Sequence, residues 1–120
     1  MLKVIIAGSR GFGDYYLLAN KCSKILIGAM SKDGEVEIVS GGADGADKLG
    51  ERYAAEKGLS VKLFPADWKQ YGKAAGPLRN KQMAEYADAL IAFWDGVSPG
   101  TKDMIEQATA KGLKTRVIYF

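Results

Sequence analysis

Five apolar runs punctuate the chain: Leu2 to Ala7, Glu35 to Val39, Ser60 to Phe64, Ala89 to Trp94 and Thr115 to Tyr119. Most are short and continuous rather than alternating, the pattern of strands covered on both faces. Between them the apolar positions switch to helical spacing. Leu18, Cys22, Ile25 and Ala29 mark a first helix, Ala46, Leu49 and Tyr53 a second, Met83, Tyr86 and Ala87 a third, and Met104, Ile105 and Ala108 a fourth. Gly58 and Gly112 follow the second and fourth helices, each before a leucine, as left-handed C′ residues with their apolar contact do. This alternation predicts the α/β class. The expected form is a Rossmann-like three-layer sandwich, a five-stranded, mostly parallel sheet with helices on both faces and right-handed crossovers. No repeat, linker or low-complexity stretch interrupts it, so residues 1–120 are read as a single domain. Strand order is not encoded in the pattern.

The two ends of that sheet differ in chemistry. Beyond the strand ends lie GSRGFGD (Gly8 to Asp14), SGGADGAD (Ser40 to Asp47), a long stretch from Phe64 to Asn80, and WDGVSPGT (Trp94 to Thr101). The opposite connections, KDGE at Lys32 to Glu35, KGLS at Lys57 to Ser60, YAD at Tyr86 to Asp88 and KGLK at Lys111 to Lys114, are plain turns. Ligands of open α/β sheets bind outside the carboxyl ends of the strands. The chemistry-bearing loops are all there.

Each loop has its own expected role. In SPGT, Ser98 reads as an N-cap and Pro99 as the first helical residue, with Gly100 and Thr101 presenting amides to a phosphate. In SGGADGAD, Asp44 and Asp47 are spaced as N-cap and N3. Two carboxylates would oppose a phosphate there, so this loop is placed at the ribose or base. Gly41 and Gly42 would give backbone access and Asp44 would accept from hydroxyls, while Asp47 reads mainly as a helix cap. Gly8, Ser9 and Arg10 lie at the tip of the first strand, Arg10 as a phosphate clamp, and Asp14 caps the first helix. The spacing of Gly8, Gly11 and Gly13 is not the dinucleotide fingerprint. The connection from Pro65 to Gly76 is long enough for a lid, with Tyr71 expected to stack on a base and Trp68 to pack on the body of the domain. Arg79 and Asn80 are expected to open the third helix, where a cation is unfavourable unless an anion is near.

Composition narrows the chemistry. With 120 residues and 48% hydrophobic content there is one core. A net charge of +3, with lysines scattered along helices, suits a mononucleotide better than a long duplex. The chain has no histidine and a single cysteine, Cys22, so disulfides within the chain and cysteine or histidine metal sites are excluded. No metal or cofactor is expected. The first apolar run is too short for a signal peptide and no run approaches membrane-spanning length, so a cytoplasmic protein without membrane contact is expected.

Taken together, GSRGFGD, VSGGADGAD, FPADW, YGKAAGPLRNKQMAEYADALIAFWDG and SPGT resemble the SLOG superfamily, which groups DprA (Smf) with the Lonely Guy phosphoribohydrolases. The match covers essentially the whole chain and is nearest to the small YspA-type, YpsA-related branch. The resemblance implies a Rossmann-like nucleotide-binding fold whose pocket is built from these loops. Lonely Guy enzymes hydrolyse the N-glycosidic bond of nucleoside 5′-monophosphates, using an arginine in R-K-x-x-M and a glutamate in P-G-G-x-G-T-x-x-E. Arg79 in RNKQM is similar to the former. Met104 stands in the glutamate's place and Asp103 one residue before it, so Arg79 and Asp103 are the catalytic candidates, with Asp44 and Asp95 the other carboxylates considered. DprA-like proteins bind single-stranded DNA with an S-G-x-A-x-G-x-D loop, which SGGADGAD resembles. Three functions follow from the residues and the resemblance together. The leading one is binding of a nucleotide or nucleotide-derived ligand, ADP-ribose-like, by a sensor or carrier module. Its phosphate would lie at Ser98, Gly100 and Thr101 against Arg10 and Arg79, its ribose near Gly41, Gly42 and Asp44, and its base near Tyr71 or Trp94, with Asn80 and Asp95 alongside. The alternatives are Lonely Guy-type hydrolysis and single-stranded DNA binding. A homodimer or higher homo-oligomer fits the superfamily's habit.

Overall fold

The computed structural model describes residues 1–31 and 36–120, with backbone alone for 29–31. The KDGE turn and the start of the second strand at Glu35 lie outside the described residues. Five strands, β1 (Leu2–Gly8), β2 (Val36–Ser40), β3 (Ser60–Leu63), β4 (Ala89–Trp94) and β5 (Lys114–Tyr119), form one sheet in the order β3-β2-β1-β4-β5. Every neighbouring pair is parallel. Helices α1 (Tyr15–Ser31), α2 (Ala46–Lys57), α4 (Ala75–Tyr86) and α5 (Pro99–Ala110) alternate with the strands, and a single turn, α3 (Trp68–Tyr71), runs through a 3₁₀ turn into α4. The α/β Rossmann-like expectation is met, strand for strand.

The pleat sorts the core into two layers. On β1, Val4 and Ile6 join Ile38, Ile91 and Phe93 under α1 and α2. Ile5 and Ala7 join Val39, Leu90 and Ala92 under α4 and α5. Successive strand residues face opposite sides, so a strand covered on both faces must be apolar at every position. The two edge strands escape that demand: β3 is exposed throughout and β5 over half its length.

Two details differ from the sequence pattern. The buried stripe of α1 runs Tyr15, Leu18, Cys22, Leu26, while Ile25 is 36% exposed. Spacings of three, four and four residues keep a stripe on one helix face, and Ile25 falls off it. Leu26→Ala is therefore expected to cost about 2–5 kcal/mol, and Ile25→Ala well under half of that, checked by urea unfolding of both variants. Second, α4 begins at Ala75, so Arg79 lies in its second turn rather than at its start. Pro77 is compatible with this because the first-turn amides of a helix have no intrahelical acceptor to lose. The dipole argument for an anion at Arg79 therefore does not hold. Gly58 and Gly112 do take the left-handed conformation, and the amides of Leu59 and Leu113 close the ends of α2 and α5 onto Ala54 O and Ala108 O. Among the described residues no helix is long and apolar enough to cross a membrane.

Candidate functional site

The strand order places a crevice between the loops leaving β1 and β4. After β1 the chain turns towards β2 and after β4 towards β5, so the two loops diverge over the centre of the sheet. That divergence is the position at which doubly wound sheets bind ligands. A cleft of about 540 Å³ opens there, lined by Gly8 to Gly11 on one side, Ser98 to Thr101 on another and Gly76, Arg79 and Asn80 on a third. Its size lies within the range of small-molecule sites. A second lobe of about 320 Å³ lies beside it, over Gly41, Gly42, Ala43, Lys48 and Pro65. Arg10, Arg79 and Trp68 line both lobes and form the ridge between them.

The loops are held together where they meet the sheet. Ser9 is buried, its amide donates to Phe93 O, and its hydroxyl accepts from Asp95 N at 3.2 Å and lies within hydrogen-bond distance of Ser98 Oγ at 3.0 Å. Asp95 takes three donors: Val97 N at 2.9 Å, Ser98 N at 2.8 Å and Ser98 Oγ at 2.8 Å. These bonds stabilise its charged form and hold its carboxyl down at about 2. Ser98 does occupy the N-cap of α5, yet its hydroxyl makes no capping bond, because Asp95 and Ser9 have taken it. The first-turn amides at Gly100 and Thr101 thus face the cleft without a side-chain cap. Uncapped amides and the dipole of α5 together favour an anion.

On the α4 side, one asparagine organises the wall. Asn80 is 5% exposed; its Oδ1 accepts from Arg79 Nε at 3.0 Å and its Nδ2 donates to Asp103 Oδ2 at 2.9 Å and Gly100 O at 3.3 Å. Asp103 Oδ2 also accepts from Gln107 Nε2 at 3.0 Å. Arg79 reaches across the cleft and donates from its NH1 nitrogen to Gly41 O at 2.7 Å. Burial works against the guanidinium's charge and the Asp47 carboxylate works for it. Arg10 is exposed and has no hydrogen bond or ion pair among the described residues. Two cations, one anchored and one free, therefore face the same space.

Most of the residues expected at the site converge on it, and four do not. Gly8, Ser9, Arg10, Arg79, Asn80, Ser98, Gly100, Thr101 and Asp103 line the main cleft, and Gly41 and Gly42 the smaller lobe. Asp44 is exposed and lines neither lobe; α2 starts at Ala46 with Gly45 at its N-cap, so Asp44 is not the cap either. Tyr71, Trp94 and Asp95 also lie outside both lobes, Asp95 serving to hold the loop after β4. Trp94 instead clamps the loop after β4, with Nε1 donating to Ser98 O at 3.1 Å and its ring tilted against Tyr119. Trp68, which the sequence assigned to core packing, is 51% exposed at the cleft. Trp68, at the start of α3, lines both lobes, whereas Tyr71, 48% exposed at its end, lines neither. The residue that sequence reasoning passed over is Asp47. It is 4% exposed, lines the main cleft, and accepts from Ala43 N at 3.3 Å. Burial pushes its carboxyl up to about 6, against the opposing pull of the Ala43 amide and Arg79. The signal was its place in the first turn of α2, which reads the same for a cap and for a cleft carboxylate.

A model of the YspA, cpYpsA-related SLOG family matches residues 2–71. The chain belongs to that family. The gene 61 protein of Mycobacterium phage D29 is 35% identical to this SLOG protein over 123 residues, covering 94% of this chain and 93% of the phage protein. Two solved structures share the fold. DprA from Streptococcus pneumoniae aligns with a TM-score of 0.72 and 20% identity over 98% of this chain. TM1055 aligns with a TM-score of 0.69 and 23% identity, over 96% of this chain and 72% of its own. The SLOG chain spans 50% of DprA, so DprA has as much chain again outside the shared fold.

Proposed function

We propose that this SLOG protein binds a nucleotide or nucleotide-derived ligand, ADP-ribose-like in class, in the cleft between the β1 and β4 loops, and that residues 1–120 act as one domain. The observation that carries the reading is the pairing of uncapped α5 amides with two guanidinium groups. Ser98 is drawn away from the helix end by Asp95, and Arg10 and Arg79 stand across the same cleft. That combination supplies backbone donors, a helix dipole and charge to a phosphate. The ridge of Arg10 and Arg79 between two lobes suits a diphosphate linkage with a group on either side. Trp68, half exposed on the same ridge, offers a face for a base.

A second reading has its own support. Asp103 lines the cleft and shares Asn80 with Arg79, so a carboxylate and an arginine are held on one wall. That wall is what Lonely Guy-type cleavage of a nucleoside monophosphate would use. Both readings are tested by one panel. Thermal unfolding would be followed with nucleoside mono-, di- and triphosphates, ADP-ribose, and a short single-stranded oligonucleotide, with base release measured for any compound that shifts the midpoint. A ligand at 100 times its Kd adds about 2.7 kcal/mol and raises the midpoint by several degrees. The shift is expected from one class of small nucleotide. Trp68→Ala should weaken that ligand about 5- to 10-fold, the value of one stacked ring, and Tyr71→Ala should leave it within twofold. No shift from any nucleotide would overturn the reading, and a shift from the oligonucleotide alone would move it to single-stranded DNA.

A further inference from the structure

Asp47 is a charged group buried at a ligand cleft, in the first turn of α2, where backbone amides and the nearby Arg79 offset part of the cost of burial. It is 4% exposed, and burial alone disfavours its ionised form. No ion pair among the described residues involves it. A methyl group built on Gly41 would lie 2.5 Å from an Arg79 nitrogen and 2.9 Å from Asp47 Oδ2, so the two side chains converge on one point of the backbone. The nearer Arg79 nitrogen is engaged by Gly41 O, which leaves the carboxylate as a neighbour of the guanidinium and not its partner. The charged groups that bear on Asp47 are Arg79 from α4 and Glu51 from its own helix, with Arg10 beyond Arg79.

An ionised carboxylate offers about four lone-pair directions, and the amides of Ala43 and Gly8 use two of them. The remainder is available on the side that lines the main cleft. A ligand donor can fill it, and the class of donor is constrained. Arg10 and Arg79 repel a cationic amine, leaving neutral donors, among which the paired hydroxyls of a sugar match a carboxylate's two oxygens. Asp103 is the other carboxylate at the cleft, but its Oδ2 already accepts from both Asn80 and Gln107. Asp44, expected from the residues to take this role, is exposed and outside the cleft.

We propose that Asp47 is the sugar-recognition residue of this cleft, accepting hydrogen bonds from the ribose hydroxyls and selecting ribo- over 2′-deoxy-ligands. The proposal rests on the nucleotide reading above. Two oxygens on one carboxylate match two adjacent hydroxyls, which is how acidic side chains hold ribose in other Rossmann-type sites.

The test is calorimetric titration of the wild-type chain and Asp47→Asn with ribose 5-phosphate against 2-deoxyribose 5-phosphate, and with the common ribonucleoside 5′-monophosphates against their 2′-deoxy forms. A hydrogen bond to a charged group predicts about a 10-fold or greater preference for the ribo form. In Asp47→Asn the preference should shrink towards one while the deoxy affinity changes little. Equal wild-type affinity for both sugars would overturn the proposal and leave the nucleotide reading intact. A preference that persists in a folded Asp47→Asn would overturn it too, since another group would then read the hydroxyl. Failure of every sugar phosphate and nucleotide to bind the wild type would overturn both. The wild-type comparison alone decides the first of these, whether or not the variant folds.

Discussion

Arg79→Ala is expected to weaken nucleotide binding about 10- to 100-fold and to lower stability as well. Arg79 reaches from α4 to the β2 loop, donating to Gly41 O there and to Asn80 Oδ1 on its own helix. Removing it deletes a charge-assisted contact to an anion, worth roughly 1.5–3 kcal/mol. It also takes the nearest cation from buried Asp47 and a donor from Gly41 O. Loss of that cation removes the pull that lowers the Asp47 carboxyl, so the variant should hold its proton to higher pH. Arg79→Lys should recover part of the affinity but not the geometry, because an ammonium lacks the planar fork that reaches two acceptors in different directions. Titration of a responding nucleotide into the three proteins checks this, with urea unfolding alongside. Wild-type affinity in Arg79→Ala would remove Arg79 from the site.

Gly8→Ala should severely damage folding. A methyl group at Gly8 would lie 2.2 Å from Phe93 O and 2.8 Å from the Ala46 side chain. Phe93 is the register partner of Gly8 on β4, and its carbonyl also accepts from Ser9 N at 2.9 Å. Neither strand can withdraw without breaking the ladder at the centre of the sheet. Overpacking of this kind typically costs 1–3 kcal/mol, and contact with fixed backbone puts Gly8 at or beyond the top of that range, about 3 kcal/mol or more. For a domain whose total stability is roughly 5–15 kcal/mol that is a large share. Gly11→Ala and Gly13→Ala, in the same GSRGFGD segment, have open space at the corresponding position and should stay within about 0.5 kcal/mol. Denaturant unfolding of the three variants measures the contrast. Equal effects at all three would show that the close approach of β1 to β4 does not limit the fold.

The elements were largely legible in the residues because their signals are local. Continuous apolar runs, helical spacing and C′ glycines depend on neighbours within a few positions, and β4 was read to the residue. The errors fell where two local signals compete. Ile25 and Leu26 are equally apolar and adjacent, and only packing on β1 and β2 selects Leu26. Ala75 to Leu78 contain a glycine and a proline, which read as loop, yet a first helical turn accepts both. At the site, Trp68 and Tyr71 are alike as aromatics in one loop, and only the tertiary placement of α3 beside the cleft separates them, Trp68 lining it and Tyr71 not.

By itself the sequence determined the α/β class, the alternation of elements, and the gathering of glycines, serines and arginines on one edge of the sheet. Those follow from periodicity and chain direction, since parallel strands deliver every following loop to the same side. Tertiary structure alone decided the strand order β3-β2-β1-β4-β5, and with it that the β1 and β4 loops diverge to open the cleft. It also decided that Asp47 faces this cleft and Asp44 does not, and that Asn80 ties Arg79 to Asp103. These facts depend on which strands lie side by side and on the angle at which a helix leaves its loop. Contacts between residues 20 to 90 positions apart leave no mark on the spacing of their neighbours.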